Sequence, residues 1–216
     1  MIDCHIHTTQ SDGESTLESI IFKCNEMNCE IFAITDHDIM VGLKDIQIPN
    51  GCYFLYGVEI TSVYSGREIH ILAYFKDMPH DNFEKFLKNN RILSAVLLNR
   101  CQRGKKGDCT NTIPTILDKV HEYGGITIIA HPINYVDILD DIIDLCDGIE
   151  LVYPSHTVEF IQQLIGKYKD RCKFFSAGSD FHGKCLVKNE KIDEDTKEYA
   201  KYLGTFIDYC KIAPDQ

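Results

Sequence analysis

No apolar stretch in this 216-residue chain approaches the roughly 20 residues a membrane-spanning helix requires. Its first residues, Met1-Ile-Asp-Cys-His5, carry neither a basic segment nor an apolar one, so a secretory leader is not expected. A cytoplasmic location is the resulting expectation. Ten cysteines are present, but none form a Cys-x-x-Cys pair. Cys4, Cys29, Cys52, Cys146 and Cys172 lie in or beside apolar segments, as reduced thiols acting as small hydrophobes do. Positive charge is scarce: 22 Lys and Arg against 33 Asp and Glu give a net charge of −11, which opposes binding to duplex nucleic acid. Internal repeats and low-complexity linkers are missing too. What remains, with 44% apolar and 25% charged residues, fits one globular domain over 1–216.

What the chain does have is a set of short clusters of imidazoles and carboxylates. They are His5-Ile-His7 with Asp12 close behind, His37 between Asp36 and Asp38, Glu59, His70, His131, and Asp180-Phe-His182. Six of the nine histidines fall in these clusters; His80, His121 and His156 are left over. Taken singly, each has an ordinary explanation. Asp-His-Asp suits a surface loop, and a lone histidine in Ile69-His-Ile-Leu is more often a satisfied core residue. Their common position, at or just after a short apolar run, is what points to a multi-metal hydrolytic centre.

Those runs predict seven strands: Ile2–His7, Ile31–Thr35, Tyr53–Val58, Glu68–Tyr74, Ile126–Ala130, Gly148–Val152 and Phe174–Ala177. Helices are expected over Thr16–Met27, Asn82–Cys101, Ile113–Tyr123, Val136–Asp144, Thr157–Tyr168 and Asp195–Tyr202. Ser15-Thr-Leu-Glu18 fits a capping box with Ser15 as the cap, and Gly124-Gly125 fits a helix stop. Alternation of this kind predicts an α/β fold with a parallel sheet. Ligands arriving from nearly every strand favour a barrel, where all strand C-termini meet at one mouth, over an open sheet. Residues 76–111 break the rhythm and are expected to form a short insertion or lid; they include the basic turn Arg103-Gly-Lys-Lys-Gly-Asp-Cys-Thr. A two-residue spacing puts His5 and His7 on one face of a strand, with Asp3 one pleat below as an orienting carboxylate. Pro132 is expected to hold His131 in extended backbone. His156, after the strand ending at Val152, can reach the same mouth and is the candidate general acid.

In this order, Asp3-Cys-His-Ile-His-Thr-Thr-Gln-Ser-Asp12-Gly, Ile34-Thr-Asp-His-Asp38, Gly57-Val-Glu-Ile, His70, Ala130-His-Pro and Gly178-Ser-Asp-Phe-His-Gly resemble the signatures of the PHP (polymerase and histidinol phosphatase) family. The resemblance runs from Met1 to about Lys184. It implies a distorted seven-stranded (β/α) TIM-like barrel with three divalent ions at the C-terminal ends of the strands, drawn from zinc, iron and manganese. By position it implies one ion on His5, His7, Glu59 and Asp180, a second on Glu59, His70 and His131, and a third on Asp12, His37 and His182. The implied activity is metal-dependent phosphoester hydrolysis by a bridging hydroxide. A small phosphomonoester of nucleotide, sugar or histidinol phosphate type is the expected substrate. The alternatives are an exonuclease-like phosphodiesterase on short oligonucleotides and a non-catalytic metal-binding module. An amidohydrolase is a further rival, but that class usually bridges its metals with a lysine where this chain offers Glu59. Two departures from the longer members stand out. The segment between His70 and His131 is short, and Pro132-Ile-Asn-Tyr-Val lacks the arginine that nucleotide-hydrolysing members tend to carry there. Arg67, Arg91, Arg100, Lys105 and Lys184 are candidate replacements for phosphate contact.

Overall fold

The computed structural model describes residues 1–43, 46–102, 111–183 and 190–212. Seven strands form one curled sheet in chain order: β1 Ile2–Asp3, β2 Ile31–Ile34, β3 Tyr53–Tyr64, β4 Arg67–Phe75, β5 Ile126–Ile129, β6 Gly148–Val152 and β7 Phe174–Ala177. The sheet curls far enough for its two edges to meet. The Cys4 amide donates to the Ala177 carbonyl at 2.9 Å and the His7 amide to Phe181 at 2.9 Å. The α/β class and the seven strands agree with the sequence reading.

Strand direction does not. β3 and β4 pair antiparallel, and so do β4 and β5, while the remaining neighbours are parallel. The cause is local. β3 runs six residues beyond Val58 and turns straight into β4 through Ser65 and Gly66, with φ of 49° and 80°. Positive φ at both central residues is the signature of a type I′ hairpin turn, whose twist matches the flanking strands. A two-residue connection leaves no room for a crossover helix, so β4 must run backwards.

Among the described residues the helices are α1 Leu17–Glu26, α2 Asp81–Gln102, α3 Ile113–Glu122, α4 Leu139–Ile142, α5 Val158–Tyr168, α6 Glu190–Glu198 and α7 Ala200–Lys211. α1 is capped by Thr16, whose hydroxyl accepts from the Ser19 amide, and not by Ser15. The Ser15 hydroxyl instead donates to the Gly183 carbonyl at 2.9 Å, tying this loop to the one after β7. Gly124, at φ 72°, ends the turn after α3 as expected. The expected helix over Val136–Asp144 is cut down to α4 with a 3-10 turn on each side. The last expected helix proves to be two, α6 and α7, which together bury Ile192, Leu203, Phe206 and Cys210 in the core. The cysteines described are all free, and five of them are buried.

Within 76–111, α2 packs along β3. Leu87, Asn90, Ser94 and Leu97 recur at helical spacing on its buried face. The Asn90 amide and the Ser94 hydroxyl both donate to the Thr61 carbonyl, at 2.7 and 3.2 Å. The basic turn at 103–110, with Lys105, lies outside the described residues.

Candidate metal centre

The nine sequence-predicted ligands come together around one carboxylate. Glu59 stands in the middle of β3 and is 1% exposed. Its Oε2 lies 3.2 Å from His5 Nε2, 3.1 Å from His7 Nε2 and 3.3 Å from His37 Nδ1. Its Oε1 lies 2.8 Å from His70 Nδ1 and 3.0 Å from His131 Nε2. Asp180 Oδ1 closes on His5 Nε2 and His7 Nε2 at 3.3 and 3.2 Å. Asp12 stands farther out, 3.2 Å from His182 Nε2, 3.5 Å from His7 Nδ1 and 3.6 Å from His37 Nε2. His5, His7, His37, His131, Asp180 and His182 follow the ends of β1, β2, β5 and β7. Glu59 and His70 come instead from within the hairpin, so these two do not sit at strand C-termini.

Three overlapping groups of ligand atoms lie within 4.8 Å of one another: His5, His7, Glu59 and Asp180; His7, Asp12, His37 and His182; and His37, Glu59 and His70. The first is the set the resemblance implies. The second adds His7 to its implied set. The third has His37 where His131 was expected, although His131 still reaches Glu59.

The donor set fits divalent ions on two physical grounds. His5 Nε2, both ring nitrogens of His7, and Glu59 Oε2 are buried without a hydrogen-bond partner, although His5 Nε2 and His7 Nε2 lie 3.2 and 3.1 Å from Glu59 Oε2. Buried polar atoms left so are costly unless something charged lies between them. Metal–ligand bonds of about 2.1 Å also give ligand–ligand edges of about 3.0–3.4 Å, the spacing observed here.

Surrounding groups aim these side chains. Glu150, fully buried on β6, is the one not evident from sequence. Its Oε1 accepts from His5 Nδ1 at 3.1 Å and its Oε2 from the His131 amide at 2.7 Å. A donated Nδ1–H leaves the His5 Nε2 lone pair facing the cluster. The only local sign of Glu150 is a carboxylate inside the apolar run Ile149-Glu-Leu-Val. Asp36 accepts from the amide and hydroxyl of Thr8 at 2.8 and 2.7 Å and from the Ser11 amide at 3.1 Å, shaping the loop that carries Asp12. Asp3 binds the Ser179 amide and hydroxyl at 2.9 and 2.7 Å, steadying the loop of Asp180; only the His5 amide, at 3.4 Å, links it to a histidine. Burial pushes the Asp3 carboxyl up to about 6 against these hydrogen bonds. Glu68 Oε1 meets His70 Nε2 at 2.9 Å.

Strain collects here as well. Asp38, His131 and Asp180 have φ of 54°, 29° and 52°. His131 is therefore left-handed, not extended as Pro132 suggested; Glu150 holds its amide and overrides the local preference. Gly178 is required by contact, since a Cβ there would stand 2.3 Å from His5 Cβ.

Electrostatics follow the same geometry. Burial opposes a charged Glu59, yet the surrounding histidines hold its carboxyl well below the usual range. Burial likewise opposes charge on His70, but Glu59 and Glu68 carry its imidazole up to about 10. His5 is raised strongly by Glu59 and Glu150 against its burial. His37 is lowered by burial, with Glu59 opposing.

His156 does not join the site. It is 1% exposed, its Nδ1–H donates to the Leu151 carbonyl at 2.8 Å, and burial lowers its pKa. A neutral imidazole sealed from the cavity is poorly suited to donating a proton. Tyr153, whose ring lies tilted against it, is the residue that reaches the centre, with its hydroxyl 3.2 Å from Asp180 Oδ2. Among the cation candidates, Arg67 is engaged by Asp137 at 2.5 Å and by the Asn134 carbonyl at 3.1 Å. Arg91 and Arg100 lie on α2, and Lys184 is outside the described residues. The centre opens into a cavity of 340 Å³ bordered by His37, His70, His131, Asp180 and His182.

Known proteins resemble the chain over most of its length. A 5'-3' exoribonuclease of Haemophilus influenzae is 25% identical, covering 85% of this chain and 90% of its own. A 3',5'-nucleoside bisphosphate phosphatase of Chromobacterium violaceum is 22% identical over 84% of this chain and 87% of its own. Among solved structures, an amidohydrolase from Chromobacterium violaceum with bound sulfate and no metal superposes with a TM-score of 0.67 at 19% identity, covering 89% and 96% of the two chains. That likeness supports the fold. The family model described as the PHP domain matches residues 3–208, and the chain belongs to that family.

Proposed function

We infer that this chain is a metal-dependent phosphoesterase of the PHP family, and we propose a small phosphorylated compound as its substrate. The observation carrying this is the group of four buried, unpartnered polar atoms on His5, His7 and Glu59, converging where cations would satisfy them. Three ions, held by the three overlapping ligand groups and by His131, are the proposed complement. When bound, such ions would lower the pKa of a water molecule and offset charge on a phosphoryl group. The chain's own residues do the rest. Glu59, shared by His5, His7, His37, His70 and His131, fixes their spacing. Glu150 fixes the His5 tautomer, and the Asp3–Ser179 and Asp36–Thr8 contacts hold Asp180 and Asp12 on their loops. Tyr153 donates to Asp180 and helps to orient that carboxylate. A distorted barrel closed by the β1–β7 contacts is the corresponding architecture.

A second reading is exonucleolytic cleavage of short oligonucleotides. It is favoured by the Haemophilus influenzae relative, named for acting on RNA from the 5' end. The test is turnover of a phosphoester panel by protein reconstituted with zinc, manganese or iron, with His5→Ala alongside. The panel holds mononucleotides, sugar phosphates, histidinol phosphate and short 5'-phosphorylated RNA. Phosphate release lost in His5→Ala supports the main reading; release of mononucleotides from RNA alone supports the second. Amide or deaminase turnover without either would overturn both.

A further inference from the structure

The ladder between β4 and β5 stops at Ile71–Ile129, and beyond it the His70 carbonyl still accepts from the Ala130 amide at 3.1 Å. Thr61, opposite His70 in the hairpin, spends its amide on Asp38 and its carbonyl on Asn90 and Ser94 of α2. The His70 amide therefore faces the β5 side, where the left-handed turn at His131 has carried the chain away. The 3-10 turn Pro132–Tyr135 brings a phenol back into that gap, and the Tyr135 hydroxyl accepts from the His70 amide at 3.1 Å. Arg67 pins the turn from the hairpin through the Asn134 carbonyl and Asp137. The Tyr135 ring also lies 5.8 Å from the ring of His131. Two candidate ligands thus hold this hydroxyl at the edge of the metal centre.

A hydroxyl both accepts and donates, and here only the accepting side is used. Tyr135 is 5% exposed and borders the 340 Å³ cavity, and among the described residues nothing accepts its proton. A buried donor without an acceptor is costly, so this proton calls for a partner that enters the cavity. The other donors near the centre are spent. Tyr153 donates to Asp180, and His156 donates to the Leu151 carbonyl. Asn134 borders the cavity too, with Nδ2 3.1 Å from His131 Nδ1, but a carboxamide does not surrender a proton. Burial pushes the Tyr135 phenol above its ordinary pKa of about 10, so it stays protonated at neutral pH. An alkoxide leaving a phosphoester is more basic still and can take that proton.

We propose that Tyr135 is a further catalytic residue, whose hydroxyl gives its proton to the departing ester oxygen of the substrate. The inference rests on the phosphoesterase reading and deepens it by naming the proton donor that the sealed His156 does not supply. As the oxygen of the attacking water bonds to phosphorus, the ester P–O bond breaks with its electron pair on the leaving oxygen. That oxygen takes the phenol proton. The phenolate regains a proton from solvent, which receives the one lost by the attacking water.

The test compares Tyr135→Phe with wild type, both saturated with manganese, on two esters. One is the alkyl phosphoester of the panel that wild type turns over fastest; the other is p-nitrophenyl phosphate. Nitrophenolate leaves without a proton, so only the alkyl ester needs a donor. Tyr135→Phe should lower kcat on the alkyl ester by about 100-fold or more, and on p-nitrophenyl phosphate by less than about threefold. Phenylalanine also removes the acceptor of the His70 amide, so manganese affinity and the thermal midpoint are measured alongside. Manganese affinity should match wild type. A loss shared equally by both esters, or matched by weaker manganese binding, makes Tyr135 a structural prop of His70 and overturns the assignment. An unchanged kcat on the alkyl ester overturns it too. Wild type inert on every phosphoester overturns the underlying reading instead.

Discussion

Glu150→Gln is the most informative single change. The glutamate accepts two hydrogen bonds from groups 126 residues apart in sequence, the His5 ring and the His131 amide, in a fully buried position. Glutamine keeps the shape but offers one acceptor oxygen and one NH2. Whichever way the amide turns, one donor of the native pair faces another donor. If the oxygen serves the His131 amide, His5 must reverse its tautomer, and its Nε2 then carries a proton toward Glu59. If it serves His5, the His131 amide is unsatisfied, and the left-handed backbone at φ 29° loses its anchor. A buried unsatisfied donor costs about 1–3 kcal/mol. Loss of such an orienting carboxylate typically lowers metal affinity or activity by about 10–100-fold. Equilibrium metal titration, with thermal unfolding of the metal-free protein run in parallel, reads both. Wild-type metal affinity in a folded Glu150→Gln protein would refute the reasoning.

Three further outcomes follow from the same geometry. In metal-free protein His70 stands at about 10 and is protonated near neutral pH, and His5 is raised in the same direction, so metal binding must displace protons. Metal affinity should therefore rise with pH across 6–9, and calorimetry in buffers of different ionisation heat should show proton release; a pH-independent affinity contradicts this. Gly66→Ala should destabilise the fold by about 1–2 kcal/mol, because φ of 80° puts any Cβ in the left-handed region; denaturant unfolding measures it, and an unchanged midpoint argues against the type I′ turn. His156→Gln should cost stability while leaving the pH profile of kcat in place; a lost limb of that profile would restore His156 as the acid.

Much of the site is legible in the sequence because its ligands are chemically rare residues in otherwise apolar strands. What is not legible depends on partners remote along the chain. The polar run Glu59, Thr61 and Ser62 makes β3 look finished at Val58. Those residues are polar because Glu59 faces the histidines and Thr61 binds Asp38, while the strand itself runs on to Tyr64. Ser65-Gly66 is a weaker hairpin signal than Asn-Gly, so the reversal of β4 is hidden until the two strands are seen paired. Glu150 has no local reason to be charged; its reason is His5, 145 residues earlier. His156 illustrates the opposite case, a histidine in a promising position after a strand whose ring turns inward and is covered by Phe160 and Tyr153.

The central claim is that one buried carboxylate, Glu59, organises cations shared among side chains from six separate stretches of chain. Anomalous diffraction from crystals grown with manganese or zinc tests it directly. Peaks are expected about 2.1 Å from His5 Nε2, His7 Nε2, Glu59 Oε2 and Asp180 Oδ1, with further peaks at the His37–His70 and Asp12–His182 positions. A metal-soaked crystal with no anomalous density between Glu59 and these histidines would contradict it.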